Sequence, residues 1–352
     1  MLPAMSAKTD TQTAAGKSSG EIRTLADLGR LIGVSAGTVS RALAGSDLVK
    51  PKTRERIQAL AREHGFRPNQ MASKLRTRRT GVVGVVIPLG HERRQHISDP
   101  FFMTLLGHLA DELTESGYDL MLSRTLPDEN PDWLDRLTGS GMVDGVIVIG
   151  QSDQFDAIEK VARSYPNMVV WGSRREGQRH LVVGTDNRLG GRIAAQRLLD
   201  GGARQLAFLG STAGIEIAQR LAGAREVADA AGFPLIHLPC HLSDETMEAE
   251  LRNQLGVHGG GIDGIVAASD LIAMTAMKVL HEQGRIAPDN FQIVGFDDLA
   301  LAAQTMPPLT TIRQDIARGA KALVDNLKTS ISGGKGASLV MKPVLMERQT
   351  TR

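Results

Sequence analysis

From Val82 to about Glu347, short runs of Val, Ile and Leu alternate with amphipathic stretches, and this alternation constrains the fold more than any other feature. Candidate strands are Val82–Ile87, Tyr118–Leu122, Gly145–Ile149, Met168–Trp171, Gln205–Leu209, Gly264–Ala268 and Phe291–Val294. Candidate helices between them are Phe101–Ser116, Asn187–Leu199, Ala218–Ala231, Leu271–Gln283 and Ile316–Ser330. A strand covered on both faces reads as an unbroken apolar run, because neither side needs polar residues. Sustained strand–helix alternation therefore predicts an α/β body of parallel sheets. The pattern falls into two halves, roughly 82–185 and 186–347, which predicts two similar lobes with a cleft between them. Ligands of such sheets bind beyond the carboxyl ends of the strands.

Charge is divided unevenly along the 352 residues. Residues 1–80 carry 15 Lys and Arg against 6 Asp and Glu, a net +9. The remainder carries 26 against 33, a net −7, so the overall +2 hides a basic segment attached to an acidic body. That asymmetry suits contact with a polyanion. The composition, 41% hydrophobic and 23% charged, is that of a soluble globular protein, and no apolar run is long enough to span a bilayer. Residues 1–20 read as a disordered tail rather than a secretory signal. The single cysteine, Cys240, rules out an internal disulfide and reads as a buried thiol in a cytoplasmic protein.

Residues 21–66 read as a helical DNA-binding headpiece. Thr24-Leu-Ala-Asp27 has the form of a capping box, and Leu25, Leu28 and Leu31/Ile32 recur at helical spacing. Gly33-Val34-Ser35 breaks that helix, and Ser35 is placed to cap a second one over Ala36–Leu43. The spacing Gly29-x3-Gly33-x5-Val39 is what a helix-turn-helix requires: a small residue for close approach, a glycine for the turn, a branched anchor. A third helix near Thr53–His64 closes the core through Ile57, Leu60 and Ala61, with Gly65 as its stop. Outward positions of the second helix, Ala36, Gly37, Ser40 and Arg41, then face a major groove. Arg41 is the candidate for a bidentate bond to guanine, the alternative being a phosphate contact or a solvated arginine. Thr24, Ser35, Lys52, Thr53 and Asn69 are candidate phosphate contacts.

The order TLADLGRLIGVSAGTVSRALAG…VKPKTRERI…GFRPNQMASKLR closely resembles the LacI/GalR family of bacterial regulators, as do VGTDNRLGG, RLAG, VGFDDL and PPLTTIRQD in the body. The resemblance implies a sequence-specific transcriptional regulator, a repressor of carbohydrate uptake or catabolism genes, working as a cytoplasmic, nucleoid-associated homodimer on a palindromic double-stranded DNA operator. Thr38 joins the DNA-binding positions on the same ground. Residues 67–81 are implied to be a hinge and linker. A short helix at Asn69–Leu75 would lie beside its twin in the minor groove, with Leu75 as an apolar wedge and Ala72 near the base edges. The alternative for Leu75 is a cover over the headpiece core. Two departures stand out. Ala36 and Gly37 replace larger polar residues common in the family, so the operator cannot be copied from a relative. Gly29 replaces alanine, at a cost to the first helix of about 1 kcal/mol.

For residues 82–347 the resemblance implies a two-lobed, periplasmic-binding-protein-like domain that senses a small molecule, a sugar or sugar acid, and carries the dimer contacts. Arg220 and Asp297 match positions that grip sugar hydroxyls, a task suited to paired donors and acceptors. Asp186 matches another cleft position, the alternative being a helix cap. Phe102 is a stacking candidate that could equally be core. Trp171–Arg174, with Ser173 and Arg174, and Ser269 with Asp270 are further cleft candidates, Asp270 alternatively a cap. Gly214 stands where purine-sensing relatives carry arginine, with Glu216 nearby, which favours a carbohydrate. The basic stretch Gly90–Ser98 would favour an anionic ligand, or is an exposed loop. No cofactor, metal or catalytic constellation is expected. Gly16-Lys17-Ser18 lacks the spacing of a phosphate-binding loop, the nine histidines show no zinc spacing, and no GxSxG occurs. A sugar kinase or dehydrogenase, or a periplasmic sugar-binding protein without a headpiece, are the rival classes.

Overall fold

The computed structural model describes residues 24–66, 79–89, 95–151, 153–242 and 246–352. The chain forms two compact units, divided between Arg78 and Arg79.

The first unit holds three helices: α1 (Leu25–Ile32), α2 (Ala36–Leu43) and α3 (Pro51–Glu63). Leu28, Val39, Ala42, Val49, Ile57 and Ala61 form its core, and Phe66 closes it beyond the last helix. Gly33 takes the left-handed conformation at φ 77° and turns the chain from α1 into α2. A β-carbon at Gly29 would stand 2.6 Å from the Val34 carbonyl oxygen. Gly29 therefore lets the turn close on α1, a gain to set against its poor helix propensity.

The second unit is built on two six-stranded sheets. The first contains β1 (Val82–Pro88), β2 (Asp119–Thr125), β3 (Gly145–Ile149), β4 (Met168–Trp171), β5 (Leu181–Thr185) and β11 (Leu339–Met341), in the order β11-β5-β4-β3-β1-β2, all parallel. The second contains β6 (Leu206–Leu209), β7 (Leu235–Leu238), β8 (Gly264–Ala267), β9 (Gln292–Asp297), β10 (Thr310–Arg313) and β12 (Val344–Met346). Its order is β12-β10-β9-β8-β6-β7, parallel except for β12. The central strands are buried throughout, as their unbroken apolar runs require.

Helices α4 (Pro100–Glu115), α5 (Trp133–Gly139), α6 (Phe155–Ala162), α7 (Asn187–Asp200), α8 (Ile215–Ala230), α9 (Met247–His258), α10 (Asp270–Glu282) and α11 (Ile316–Ile331) connect the strands. Every strand and helix expected in the body is present within a few residues. Helices α5, α6 and α9 and strands β5, β7, β10, β11 and β12 had no counterpart in the sequence reading.

The division into consecutive halves needs correction. Helix α11 packs its Ile316, Ala320, Leu323, Val324 and Leu327 into the core of the first sheet, and β11 extends that sheet before β12 returns to the second. The lobes thus exchange chain three times among the described residues. The carboxy-terminal residues are also part of the body: Thr350 exchanges hydrogen bonds with Ile293 of β9, and its hydroxyl accepts from the Thr310 amide at 2.9 Å.

Candidate functional site

In the first unit the Thr24 hydroxyl accepts from the Asp27 amide at 3.1 Å, and the Asp27 carboxylate accepts from the Thr24 amide at 2.9 Å, a reciprocal cap on α1. Ser35 caps α2 by accepting from the Thr38 amide at 3.1 Å, with the Thr38 hydroxyl 2.9 Å from its own. Val39 and Ala42 hold α2 into the core. Gln58 of α3 ties it further by donating to the Ala42 carbonyl at 3.1 Å. That anchoring leaves Ala36 and Arg41 exposed and Gly37 and Ser40 half-buried on the opposite side. Arg41 bends back, its Nε donating to the Gly37 carbonyl at 3.3 Å, which costs little to release for another acceptor. Lys52 is exposed and Thr53 half-buried in the first turn of α3, whose start has Pro51 at N1 and no side-chain cap. The Thr53 and Arg54 amides both donate to the Lys50 carbonyl at 3.0 Å, so the Lys52 and Thr53 side chains are the groups this turn offers to a phosphate. Asn69, Ala72 and Leu75 lie outside the described residues.

Between the strand ends of the second unit lies a cavity. Its walls include Leu89, Phe101, Phe102, Trp171, Leu271 and Leu299, and its polar lining is Gln95, Asp99, Glu216, Arg220, Ser269, Asp297 and Gln314. An apolar cleft with a few converging polar groups is the usual form of a small-molecule site.

Arg220 is placed by a close approach of α7 and α8. A β-carbon on Gly191 would collide with the Arg220 carbonyl, and one on Gly223 with the Arg188 carbonyl. The glycines of LGG and RLAG thus interlock the two helices. Arg220 Nε donates to Asn187 Oδ1 at 2.8 Å, and Nη1 donates to the Ala268 carbonyl at 2.5 Å. The guanidinium lies 3.7 Å from the centre of the Phe296 ring. Burial lowers its proton affinity, opposed by Asp297, Glu216 and Asp270, and an arginine stays charged in such a place.

Asp297 ends β9 at φ 124°, a strained conformation for any residue but glycine, and Asp298 follows at φ 58°. Two arginines hold this corner: Arg313 donates to Asp298 at 2.7 Å and Arg348 at 2.5 Å. Gln314 Nε2 donates to Asp297 Oδ1 at 2.6 Å. Burial raises the Asp297 carboxyl well above the ordinary range, Arg220 pulling against it and Asp270 adding to it. Asp270, at the start of α10, is fully buried and accepts from the Leu299 amide at 2.8 Å and the Thr311 hydroxyl at 2.5 Å. Burial pushes it up to about 7, against those two hydrogen bonds. Its role is to fasten the loop after Asp297. Ser269 performs the capping of α10, accepting from Ile272 at 3.2 Å, and also lines the cavity.

The structure therefore brings Phe102, Arg220, Ser269 and Asp297 to one cavity. Ser173 is buried behind its wall: its hydroxyl accepts from Asn187 at 3.0 Å, its carbonyl from Gln151 at 2.5 Å, and its amide donates to Glu216 at 3.0 Å. Arg174 and Asp186 lie apart from it, on a separate surface hollow, and Asp186 caps α7 by accepting from the Leu189 amide at 2.9 Å. Trp171 lines the cavity, its ring 5.9 Å from Phe101 at 58°. Gly319 of α11 leaves room for that indole. Asp99, Phe101 and Gln314 were not named as site residues from the sequence, and Gln95 only as part of the Gly90–Ser98 stretch. Gln95 belongs to the stretch read as an exposed loop, yet it is buried and donates to Asp99 at 3.0 Å. Arg93 and Arg94 of that stretch lie outside the described residues. No cluster of metal-ligating side chains occurs among the described residues, and none of their helices is long and apolar enough to cross a membrane.

Residues 24–69 match the model of bacterial regulatory proteins of the lacI family, and residues 195–351 match a periplasmic binding protein-like domain. The chain is 31% identical over 339 residues to the HTH-type transcriptional regulator CelR of Thermobifida fusca, covering 93% of this chain and 98% of that protein. It is 30% identical over 312 residues to the sucrose operon repressor of Streptococcus mutans, covering 87% and 92%. Its fold is that of the Lac repressor dimer bound to operator and the anti-inducer ONPF, with a TM-score of 0.80 at 23% identity over 93% of this chain and 98% of that one. A CelR–cellobiose complex aligns with a TM-score of 0.64 at 29% identity, over 93% and 99%. With its helix-turn-helix and paired α/β lobes, the chain belongs to the lacI family of bacterial DNA-binding transcriptional regulators, which are not enzymes.

Proposed function

We propose that this protein is a cytoplasmic homodimeric repressor of carbohydrate uptake or catabolism genes, released from a palindromic operator by a small sugar-like effector. The observation that carries the reading is a single chain joining a capped helix with an outward Ala36–Gly37–Ser40–Arg41 face to a second unit whose cavity contains Arg220 and Asp297. Arg41 reads a guanine edge, while Ser35, Thr38, Lys52 and Thr53 contact phosphates. Thr24 and Asn69 contact the backbone too, and Leu75 with Ala72 opens the minor groove between half-sites. In the cavity Arg220 and Asp297 bond vicinal hydroxyls, Ser269 adds a polar contact, and Phe102 with Trp171 covers the apolar face of a sugar ring. Relatives named for sucrose and ribose operons, and a relative solved with cellobiose, support the carbohydrate class. A lone hinge helix of seven residues is unstable in water, so it orders only beside its twin on DNA. Ligand that prefers one arrangement of the lobes shifts that equilibrium.

The test is operator selection from a randomised DNA library, followed by fluorescence anisotropy with the selected duplex and a panel of sugars. A palindromic consensus, loss of specific but not non-specific binding in Leu75→Ala, and a sugar response that disappears in Asp297→Ala are expected. Failure to enrich any sequence, or a stable monomer in sedimentation at micromolar concentration, would overturn the reading.

A further inference from the structure

The cavity changes character along the second sheet, whose strands run β12-β10-β9-β8-β6-β7. Beyond β10 and β9 stand Gln314 and Asp297, joined by a 2.6 Å hydrogen bond, with Arg220 over the Phe296 ring that precedes Asp297. Beyond β8, β6 and β7 the lining turns to Leu271, Ile217 and Leu242. All three pack against the core of that lobe yet are only half-buried, so they turn apolar surface toward the cavity. A β-carbon on Gly210 would stand 2.5 Å from Ala268 Cβ and 3.5 Å from Ile217 Cγ2, which places Ile217 over the ends of β6 and β8. Ser269 marks the boundary, lining the cavity after β8 while its hydroxyl accepts from the Ile272 amide. Glu216 shares the apolar end, but its carboxyl reaches across to the first lobe and accepts the Ser173 amide at 3.0 Å.

Building on the proposed sugar-binding role, we infer that the effector is a glycoside with an apolar aglycone. Its glycosyl ring occupies the Arg220–Asp297–Gln314 end, and its aglycone occupies the other end, where Ile217, Leu242 and Leu271 determine specificity. Adjacent strands stand about 4.8 Å apart, so the three steps from β9 to β7 span about 14 Å, more than one pyranose ring covers. A ligand that fills this length has a second part. Hydroxyls on that part would leave water for aliphatic side chains that return no hydrogen bond, and each would carry the cost of an unmade bond. An aryl or alkyl group carries no such cost. Covering about 100 Å² of aglycone, at about 25 cal/mol per Å², raises affinity roughly seventyfold. The same reasoning disfavours a disaccharide, whose second ring is as rich in hydroxyls as its first.

The experiment is calorimetric titration of the full-length protein with matched series built on glucose, galactose and xylose. Each series contains the free sugar, its methyl glycoside, its phenyl glycoside in both anomers, and a disaccharide ending in the same ring. In any series that binds, one phenyl glycoside should exceed the methyl glycoside by at least about thirtyfold, and should exceed the disaccharide as well. In the double variant Leu242→Asn/Leu271→Asn the phenyl-to-methyl ratio should fall at least about tenfold, while methyl glycoside affinity stays within about threefold. Ile217→Thr, a smaller change that keeps the branched side chain, should lower the ratio by about threefold even if the double variant does not fold. Gln314→Ala, at the polar end, should weaken both ligands alike and leave the ratio unchanged. A phenyl glycoside no tighter than its methyl counterpart, a disaccharide that equals it, or a ratio unmoved by the apolar substitutions would overturn the inference while leaving sugar binding intact. Absence of heat from every member at millimolar concentration would instead overturn the carbohydrate reading and, with it, this one.

Discussion

Asp297 shows how much of this molecule is arranged for the sake of a few side chains. Holding a non-glycine residue at φ 124° costs on the order of 1–3 kcal/mol, and the neighbouring Asp298–Arg313–Arg348 cluster and Gln314 offset that cost. Asp270 adds a second cost, because its carboxyl is raised from 3.8 to about 7 by burial while it fastens Leu299 and Thr311. The sign of its effect on stability follows. Between pH 4 and 7 the unfolded chain gives up this proton and the folded chain keeps it, so stability falls as pH rises through that window and is level above it. Asp270→Asn should therefore gain stability over the wild type with rising pH, by on the order of 3 kcal/mol between pH 4 and 7.5, read from thermal unfolding across that range. A constant difference between the two proteins would show that Asp270 does not titrate there. Arg220 and Asp297 were legible from their motifs. Asp270 was read only as a cleft group or cap, because nothing in a sequence reports that a carboxyl faces a threonine 41 residues away.

At the scale of elements, the informative contact is the interlock of α7 and α8. Their glycines look in the sequence like weak points, since glycine lowers helix stability by roughly 1 kcal/mol relative to alanine. Packing reverses that judgement, because Gly191 and Gly223 each face a carbonyl of the opposite helix. Gly223→Ala, despite its better propensity, should destabilise the protein by more than 2 kcal/mol by forcing the helices apart. It should also displace Arg220 and weaken sugar binding at least tenfold. Denaturant unfolding and calorimetry would measure both, and a stabilised variant would refute the interlock. The headpiece elements were readable in advance, because capping residues and turn glycines act over four or five residues. Helix α2 presents the opposite case to α8: Arg41 is exposed and donates to the Gly37 carbonyl of its own helix. Arg41→Ala should leave the melting temperature within about 1 °C while reducing specific operator affinity by roughly 1–3 kcal/mol, measured by anisotropy against a scrambled duplex.

At the scale of the second unit, the two lobes are joined by a continuous polar chain as well as by their crossings. Gln151 and Ser173 belong with the first sheet, Asn187 begins α7, and Arg220 and Ala268 belong with the second sheet. Hydrogen bonds run from Gln151 to Ser173, from Asn187 to Ser173 and from Arg220 to Asn187 and Ala268. In the proposed function, a ligand that held Arg220 would act on the first lobe through Asn187 and the Ser173 hydroxyl. Ser173→Ala removes that one acceptor and leaves the backbone bonds in place. The ligand-induced change in operator affinity, typically 5–150-fold in coupled systems, should shrink several-fold while affinity without ligand stays the same. An unchanged ratio would place the coupling elsewhere.

What the sequence determined by itself was local: the caps and turn of the headpiece and the buried runs of the central strands. Each is written within a few residues, where hydrogen-bond geometry and the period of apolar positions act directly. Only the tertiary structure decided which distant residues meet. It carried α11 and β11 back to the first sheet and put Ser173 behind the cavity wall. It also gathered Asp99, Glu216, Arg220 and Asp297 at one cavity. Apolar periodicity says that a face is covered but not by what, and a carboxylate's chemistry depends on neighbours hundreds of positions away.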